Sequence, residues 1–282
     1  MTPLATRVAT AAVLVPGVLV ALFALPSWGW ALFTLAIVLV AAHEWSRLAG
    51  FRATGEAAFV VGLALAGAAL LAAAPPVPAQ GWPDGVLFVV CGVATLFWLA
   101  VALPWIVRRW STRAPAVLAL AGVVLLGGAW VALVELQARS PWLVLAAMAI
   151  VWIADTAAYF AGRAFGRRKL APLVSPGKSW EGVWGGLAAV AVYAAALVPF
   201  ARAAGYDGPL GVPAIVAWIA IAVALAALSV VGDLHESWMK RVAGVKDSGT
   251  LLPGHGGVLD RVDALLSAMP PAALAAHYFL RN

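Results

Sequence analysis

Charge is what this sequence has least of. Asp, Glu, Lys and Arg make up 11% of its 282 residues, against 64% hydrophobic, whereas a soluble domain carries about 25% charged residues. A water-soluble enzyme with an ordinary core is thereby excluded. Cysteine is almost missing too. Cys91 stands alone inside an apolar run, so no intrachain disulfide can form. There is no block of like charge, basic tail or aromatic RNA-binding motif, which removes nucleic acid from the candidate partners. Alternation of apolar and polar residues over ten-residue segments is absent, which excludes a transmembrane β-barrel.

What is there is a series of apolar runs, each long enough to cross hydrocarbon as a helix that satisfies its own backbone hydrogen bonds. They fall at 8–25, 29–46, 57–74, 86–103, 116–134, 142–162, 182–200, 213–231 and 263–280. The expected fold is all-α: a polytopic integral membrane protein of about nine transmembrane helices. Residues 8–25 follow Arg7 as a signal peptide would, but no A-x-A site separates them from the second run, so they read as the first span. Pro270 and Pro271 fall in the middle of the last run, where a kink or break is expected. The tryptophans read mainly as membrane-interface belts rather than a binding cage, and His43 and His277 as interfacial residues.

Nine spans with a cytoplasmic N-terminus put fifteen of the eighteen Lys and Arg residues on the cytoplasmic side; only Arg139, Arg202 and Arg281 lie opposite. That is a strong positive-inside bias. The charges on this face concentrate in two loops, 163–181 and 232–263. The chain divides accordingly. Residues 1–140 form a hydrophobic helical scaffold of about five spans, and 141–282 form a catalytic membrane region that carries both loops. The expected location is the cell (inner) membrane, with the active site on the cytoplasmic side.

The loop 232–263 holds five carboxylates and four cations in thirty-two residues. Asp233 ends one apolar run; Asp260 and Asp263 begin the next, at i and i+3 on one helix face. Three carboxylates at two helix mouths make a hard-oxygen site of the kind Mg²⁺ occupies, completing its shell with substrate phosphates. Capping would account for Asp260 or Asp263 alone, but not for Asp233 at the C-terminal end of a run, where the helix dipole disfavours it. Between them stand Lys240, Arg241, Lys246, Asp247 and the Pro253–Gly257 turn around His255. Glycines let backbone N–H groups approach phosphate, and the cations neutralise its oxygens. Phosphate cradle and metal carboxylates together are the equipment of phosphoryl or nucleotidyl transfer. His255 reads as a phosphate donor rather than a base, because a phosphate nucleophile is already ionised. His235 reads as an exposed neighbour of Asp233.

In the loop 163–181, Gly177-Lys178-Ser179 invites a Walker A reading, but the motif requires glycine where Pro172 stands, and no strand is expected before it. Ser175, Lys178 and Ser179 remain candidate phosphate ligands. Glu181 reads as an N-terminal capping carboxylate or a catalytic one. Asp155 lies inside the sixth run, thirteen residues beyond Trp142, or roughly 20 Å into a core of roughly 30 Å. A carboxylate at that depth marks a functional position or a helix–helix hydrogen bond. Tyr159 lies one turn on, towards Arg163.

The run from Ser237 to Asp263, S-x-M-K-R-x4-K-D-x-G-x2-L-P-G-H-G-G-V-x-D-R-V-D, resembles the signature of the phosphatidate cytidylyltransferases, also called CDP-diacylglycerol synthases. Asp155-x-x-Ala-Tyr159-x-x-Gly-Arg163 and Ser175-Pro-x-Lys178-Ser179-x-Glu181-Gly182 are similar to that family's other second-half motifs. The likeness covers roughly residues 150–265. Gly177, Ser179, His235 and Ala264 depart from the family's commonest residues.

The resemblance implies transfer of CMP from CTP to phosphatidate, giving CDP-diacylglycerol and pyrophosphate. It also implies dependence on Mg²⁺, with room for a second cation, and a homodimer. The implied catalytic residues are Asp233, Lys240, Arg241, Lys246, Asp247, His255 and Asp260. Asp155, Tyr159, Ser175, Lys178, Ser179, Glu181 and Arg261 would bind the substrates, and Asp233, Asp260 and Asp263 the metal. The competing readings are a CTP-dependent polyprenol or phytol kinase and, in a different class, a membrane transporter. Against the transporter, the polar groups crowd one face and no internal repeat is visible.

Overall fold

The structure is a computed structural model that describes residues 3–78, 80–203 and 211–281. The join around Pro209 and the side chains of Arg7 and Arg281 lie outside the described residues. The helices are α1 (Pro3–Ala24), α2 (Ser27–Leu48), α3 (Ala53–Ala73), α4 (Asp84–Phe97), α5 (Leu103–Val107), α6 (Pro115–Arg139), α7 (Pro141–Phe165), α8 (Trp180–Ala203), α9 (Val212–Ala243) and α10 (Leu259–Arg281). A single π-helical turn, Trp98–Ala102, fuses α4 to α5. It sits just before Pro104, whose missing N–H breaks the regular ladder at that point.

The fold is that of a helical membrane protein. Among the described residues seven helices are long and apolar enough to cross a membrane: α2, α3, α4–α5 as one unit (Asp84–Val107), α6, α7, α8 and α9. The apolar part of α1 is shorter, Val8–Ala24, and α10 is not among the seven. One element had no counterpart in the sequence reading. The loop after α7 folds into an antiparallel hairpin of β1 (Lys169–Ala171) and β2 (Ser175–Ser179), with Lys169 opposite Ser179. Strands of three and five residues are too short to show a period of two.

α10 runs unbroken through Pro270 and Pro271, contrary to the expected kink or break. Pro270 leaves the Leu266 carbonyl without its helical donor, and the indole of Trp98 supplies one at 3.0 Å. Tryptophan recurs in this role. Trp30 donates to the Leu133 carbonyl, Trp45 to that of Leu118 and Trp130 to that of Ala31. Trp30, Trp45, Trp82, Trp98, Trp105 and Trp130 are buried, so the belt reading holds only for exposed members such as Trp28, Trp142 and Trp184.

Alternate joins meet on opposite faces of the bundle. At one end the Thr10 hydroxyl of α1 reaches the Pro253 carbonyl, Trp238 donates to the Trp110 carbonyl, and Arg241 reaches the Val174 carbonyl. Ile106, Val174 and Leu234 form a small apolar cluster beneath them. At the other end Gln137 donates to the Leu25 carbonyl, and Arg139 to that of Gln80. Buried Glu135 accepts from the Trp82 amide at 2.7 Å, and His277 packs beside it, buried rather than interfacial.

Candidate active site

α9 is the element that builds the site. It has 32 residues, about 48 Å at 1.5 Å per residue, so its last turns extend beyond a hydrocarbon core of about 30 Å. It ends at Gly244, whose φ of +74° is the left-handed conformation of a helix terminus, with the Val245 amide bonded back to the Lys240 carbonyl at 3.0 Å. Asp233 therefore lies within the helix rather than at its end, which corrects the reading that placed it against the helix dipole. The first half of the segment read as loop 232–263 is helical; the true loop is 244–258.

His235 is not an exposed neighbour of Asp233. It is 1% exposed and enclosed by Trp45, Phe97, Trp98 and Trp105. Successive residues on a helix point in different directions, and His235 faces the bundle while Asp233 faces the hairpin.

The hairpin and α9 meet through Lys178 and Asp233, whose Nζ and Oδ2 lie 2.7 Å apart. Ser237 donates to the other Asp233 oxygen at 3.3 Å. Asp155, exposed on α7, lies within electrostatic range of both Lys178 and Asp233. One turn beyond it, the Tyr159 hydroxyl accepts from Arg163 at 3.2 Å. Ser179 and Glu181 have local partners: buried Ser179 caps α8 by accepting from the Gly182 amide, and Glu181 accepts from the Arg167 and Arg168 amides. Both hold the hairpin in shape. Ser175 opens β2, half-buried.

Lys240 is the second centre. Its ammonium contacts Glu236, one turn earlier on α9, and Asp260 Oδ1 at 2.6 Å. The other Asp260 oxygen accepts the Ser248 amide at 2.9 Å and the Gly257 amide at 2.8 Å. Burial would raise the Asp260 carboxyl, but the hydrogen bonds from Lys240, Gly257 and Ser248 outweigh it and hold it down at about 2. Asp263 accepts from the Ala264 amide and lies within electrostatic range of Asp233, Lys178 and Lys240. The two helices can approach this closely because Gly232 has no side chain: a methyl there would stand 2.6 Å from the Asp263 carbonyl oxygen.

The structure thus brings Asp233 and Asp263 together and turns Asp260 towards Lys240 and the loop amides. Among the described residues no three His, Cys, Asp or Glu side chains are grouped as a metal shell. The Asp233–Asp263 pair nonetheless has the right chemistry for Mg²⁺, which needs only one or two carboxylates when phosphates and waters complete its coordination.

The loop 244–258 encloses an open cavity of about 650 Å³, lined by Lys246, Asp247, Thr250, His255 and Arg261 among others. Arg261 is fixed by a hydrogen bond to the His255 carbonyl at 3.0 Å. His255 lies at this wall, its Nδ1 buried and without a hydrogen-bond partner. The cavity borders the Asp260–Lys240 centre, because Gly256 packs between Asp247 and Asp260.

One residue at this end escaped the sequence reading. Glu44, near the end of α2, is 4% exposed and accepts from Ser248, Val258 and Leu259. The signal was present: a carboxylate near the end of an apolar run is as unusual there as Asp155 is in its own.

Comparison with known proteins agrees with this geometry. The model of the cytidylyltransferase family matches residues 5–279. A phosphatidate cytidylyltransferase of Pseudomonas aeruginosa is 41% identical over 272 residues, 94% of this chain and 93% of that protein. One from Brucella suis is 38% identical over 252 residues, 85% of this chain and 81% of its own length. A third, from Haemophilus influenzae, is 54% identical over 129 residues, 46% of this chain and 43% of that protein. The resemblance read from the Ser237–Asp263 motif therefore extends through the first half of the chain, which had looked similar only in being hydrophobic. The chain belongs to the cytidylyltransferase family and is a nucleotidyltransferase.

Proposed function

We propose that this enzyme transfers CMP from CTP to phosphatidate, forming CDP-diacylglycerol and pyrophosphate at the cytoplasmic face of the cell membrane. The observation that carries the reading is the meeting of two basic segments, through Lys178 and Asp233, at one end of a membrane-type helical bundle. A lipid phosphate and a nucleotide triphosphate repel one another, and such a junction supplies the opposite charge. The names of the relatives supply the substrates.

In the reaction, a phosphatidate phosphate oxygen attacks the α-phosphorus of CTP in line. The bond to the bridging oxygen of the β-phosphate breaks, and pyrophosphate leaves with the electron pair. Asp233 and Asp263 would hold Mg²⁺, which when bound lowers the charge on the reacting phosphates. Lys246, Arg261 and His255 line the cavity that suits the triphosphate, with Asp247 and the glycine amides beside them. Lys178 and Lys240, each held by carboxylates, present fixed positive charge to the pentavalent transition state, and Arg241 adds to it from the end of α9. Asp260 orients Lys240. Asp155 and Tyr159 line the open side of α7, where a lipid headgroup would approach. The enzyme acts as a homodimer.

The test is release of pyrophosphate by the purified protein from CTP plus phosphatidate, with and without Mg²⁺. Release that needs both substrates and the cation supports the reading. Movement of phosphatidate across liposomes without pyrophosphate release would replace it with a transporter.

A further inference from the structure

We propose that Glu44, on the scaffold helix α2, is a positioning residue that locks the 248–259 segment, and with it the Asp260–Lys240 pair, in the reactive arrangement. The proposal rests on the nucleotidyl-transfer reading of this site, but its physical core is independent of it.

Glu44 lies more than two hundred residues from its partners in sequence. One of its oxygens accepts the Ser248 hydroxyl at 3.0 Å and the Leu259 amide at 2.7 Å; the other accepts the Val258 amide at 3.0 Å. The two amides open α10, so the carboxylate sits where the positive end of the helix dipole favours it. The carboxylate is buried, 4% exposed, and no other group among the described residues takes these amides.

Two glycines fit around it. A methyl at Gly249 would stand 2.8 Å from the Glu44 carboxyl carbon, and one at Gly257 would stand 2.7 Å from the same atom. Neither glycine has a left-handed backbone, so close approach to Glu44, and not turn geometry, is what keeps side chains out.

From Glu44 the contacts run directly into the site. The Ser248 hydroxyl that donates to Glu44 accepts from the Asp260 amide at 3.3 Å, while the Ser248 amide bonds the Asp260 carboxylate at 2.9 Å. Asp260 in turn holds Lys240 at 2.6 Å. Among the described residues the hydrogen bonds to the Asp260 carboxylate come from Lys240 on α9 and from the Ser248 and Gly257 amides of the loop itself. Glu44 ties it to the rigid scaffold, and a misplacement of about 1 Å at a reacting centre is enough to cost roughly 100-fold in rate.

The experiment compares the full-length protein with Glu44→Gln and Ser248→Ala. Glutamine keeps the shape but turns one acceptor into a donor, facing N–H or O–H groups that also donate. Hydrogen–deuterium exchange is read peptide by peptide, and initial rates are measured with CTP and phosphatidate. The expected result for Glu44→Gln is at least tenfold faster exchange across 246–260, with the α6 and α7 peptides unchanged. In the same variant kcat falls at least tenfold while KM for phosphatidate stays within threefold. Ser248→Ala shows the same pattern with smaller amplitude, and it carries the test alone if Glu44→Gln does not fold. Unchanged exchange over 246–260, or acceleration spread evenly over the bundle, overturns the proposal. If the wild type releases no pyrophosphate, the functional reading fails, and the exchange result still decides whether the clamp exists.

Discussion

Asp260→Asn isolates the charge that orients Lys240. The amide keeps one oxygen for the Ser248 and Gly257 amides, so its NH₂ must face the Lys240 ammonium, donor against donor. Lys240 retains Glu236, so the loss is that of one charge-assisted hydrogen bond, about 1.5–3 kcal/mol. The depression of the Asp260 carboxyl to about 2, to which the Gly257 and Ser248 amides contribute beside Lys240, points the same way and corresponds to about 2 kcal/mol in favour of its charged form.

If about 2 kcal/mol is felt in the transition state, turnover falls on the order of 30-fold. The stability difference has a pH signature. Asp260 is depressed in the folded protein, so its contribution is complete above the unfolded value near 4 and disappears as pH falls towards 2. The gap in unfolding free energy between wild type and variant, measured in detergent by chemical denaturation, is therefore level from pH 7 to about 5 and closes between about 4 and 2. Turnover within threefold of wild type at ordinary Mg²⁺, or a gap that does not close in acid, would refute the assignment.

Three further outcomes follow from the packing. Trp98→Phe strands the Leu266 carbonyl opposite Pro270 and lowers stability by about 1–3 kcal/mol, whereas Trp142→Phe, at an exposed site, changes the same denaturation midpoint little. Gly232→Ala drives a methyl against Asp263 and Ser267, costs about 1–3 kcal/mol, and lowers pyrophosphate release by separating Asp263 from Asp233. Asp84→Asn, at the opposite face beside His277, leaves the initial rate within threefold of wild type.

Much of this molecule could be read from its sequence because hydrocarbon imposes a simple rule: every span must be an apolar helix. Run lengths located most of the helices, and the alternate joins do gather at two ends. The rule says little about how far a helix extends into water, and so the helical stretch of Asp233 to Ala243 was read as loop. It is equally silent on partners. Pro270 suggested a break because the Trp98 indole that satisfies its orphaned carbonyl is distant in sequence. His235 was misjudged because its aromatic enclosure comes from α2, α4, the π turn and α5. Asp233, Asp260 and Asp263 were read as one carboxylate group from their positions beside adjacent helices. That Asp260 turns to Lys240 follows from the fold of the 244–258 loop, which no local pattern encodes. Glu44 was overlooked for the same reason, since its role exists only once α2 and α10 meet.

The central claim is that two basic segments bring a nucleotide and a lipid phosphate together for transfer at the α-phosphorus. Supplying CTP labelled in either the α- or the γ-phosphate, with phosphatidate and Mg²⁺, addresses it directly. The account predicts that α-label enters the lipid fraction in step with pyrophosphate release, and γ-label leaves only in pyrophosphate. Appearance of γ-label in lipid without α-label would show a kinase and contradict it.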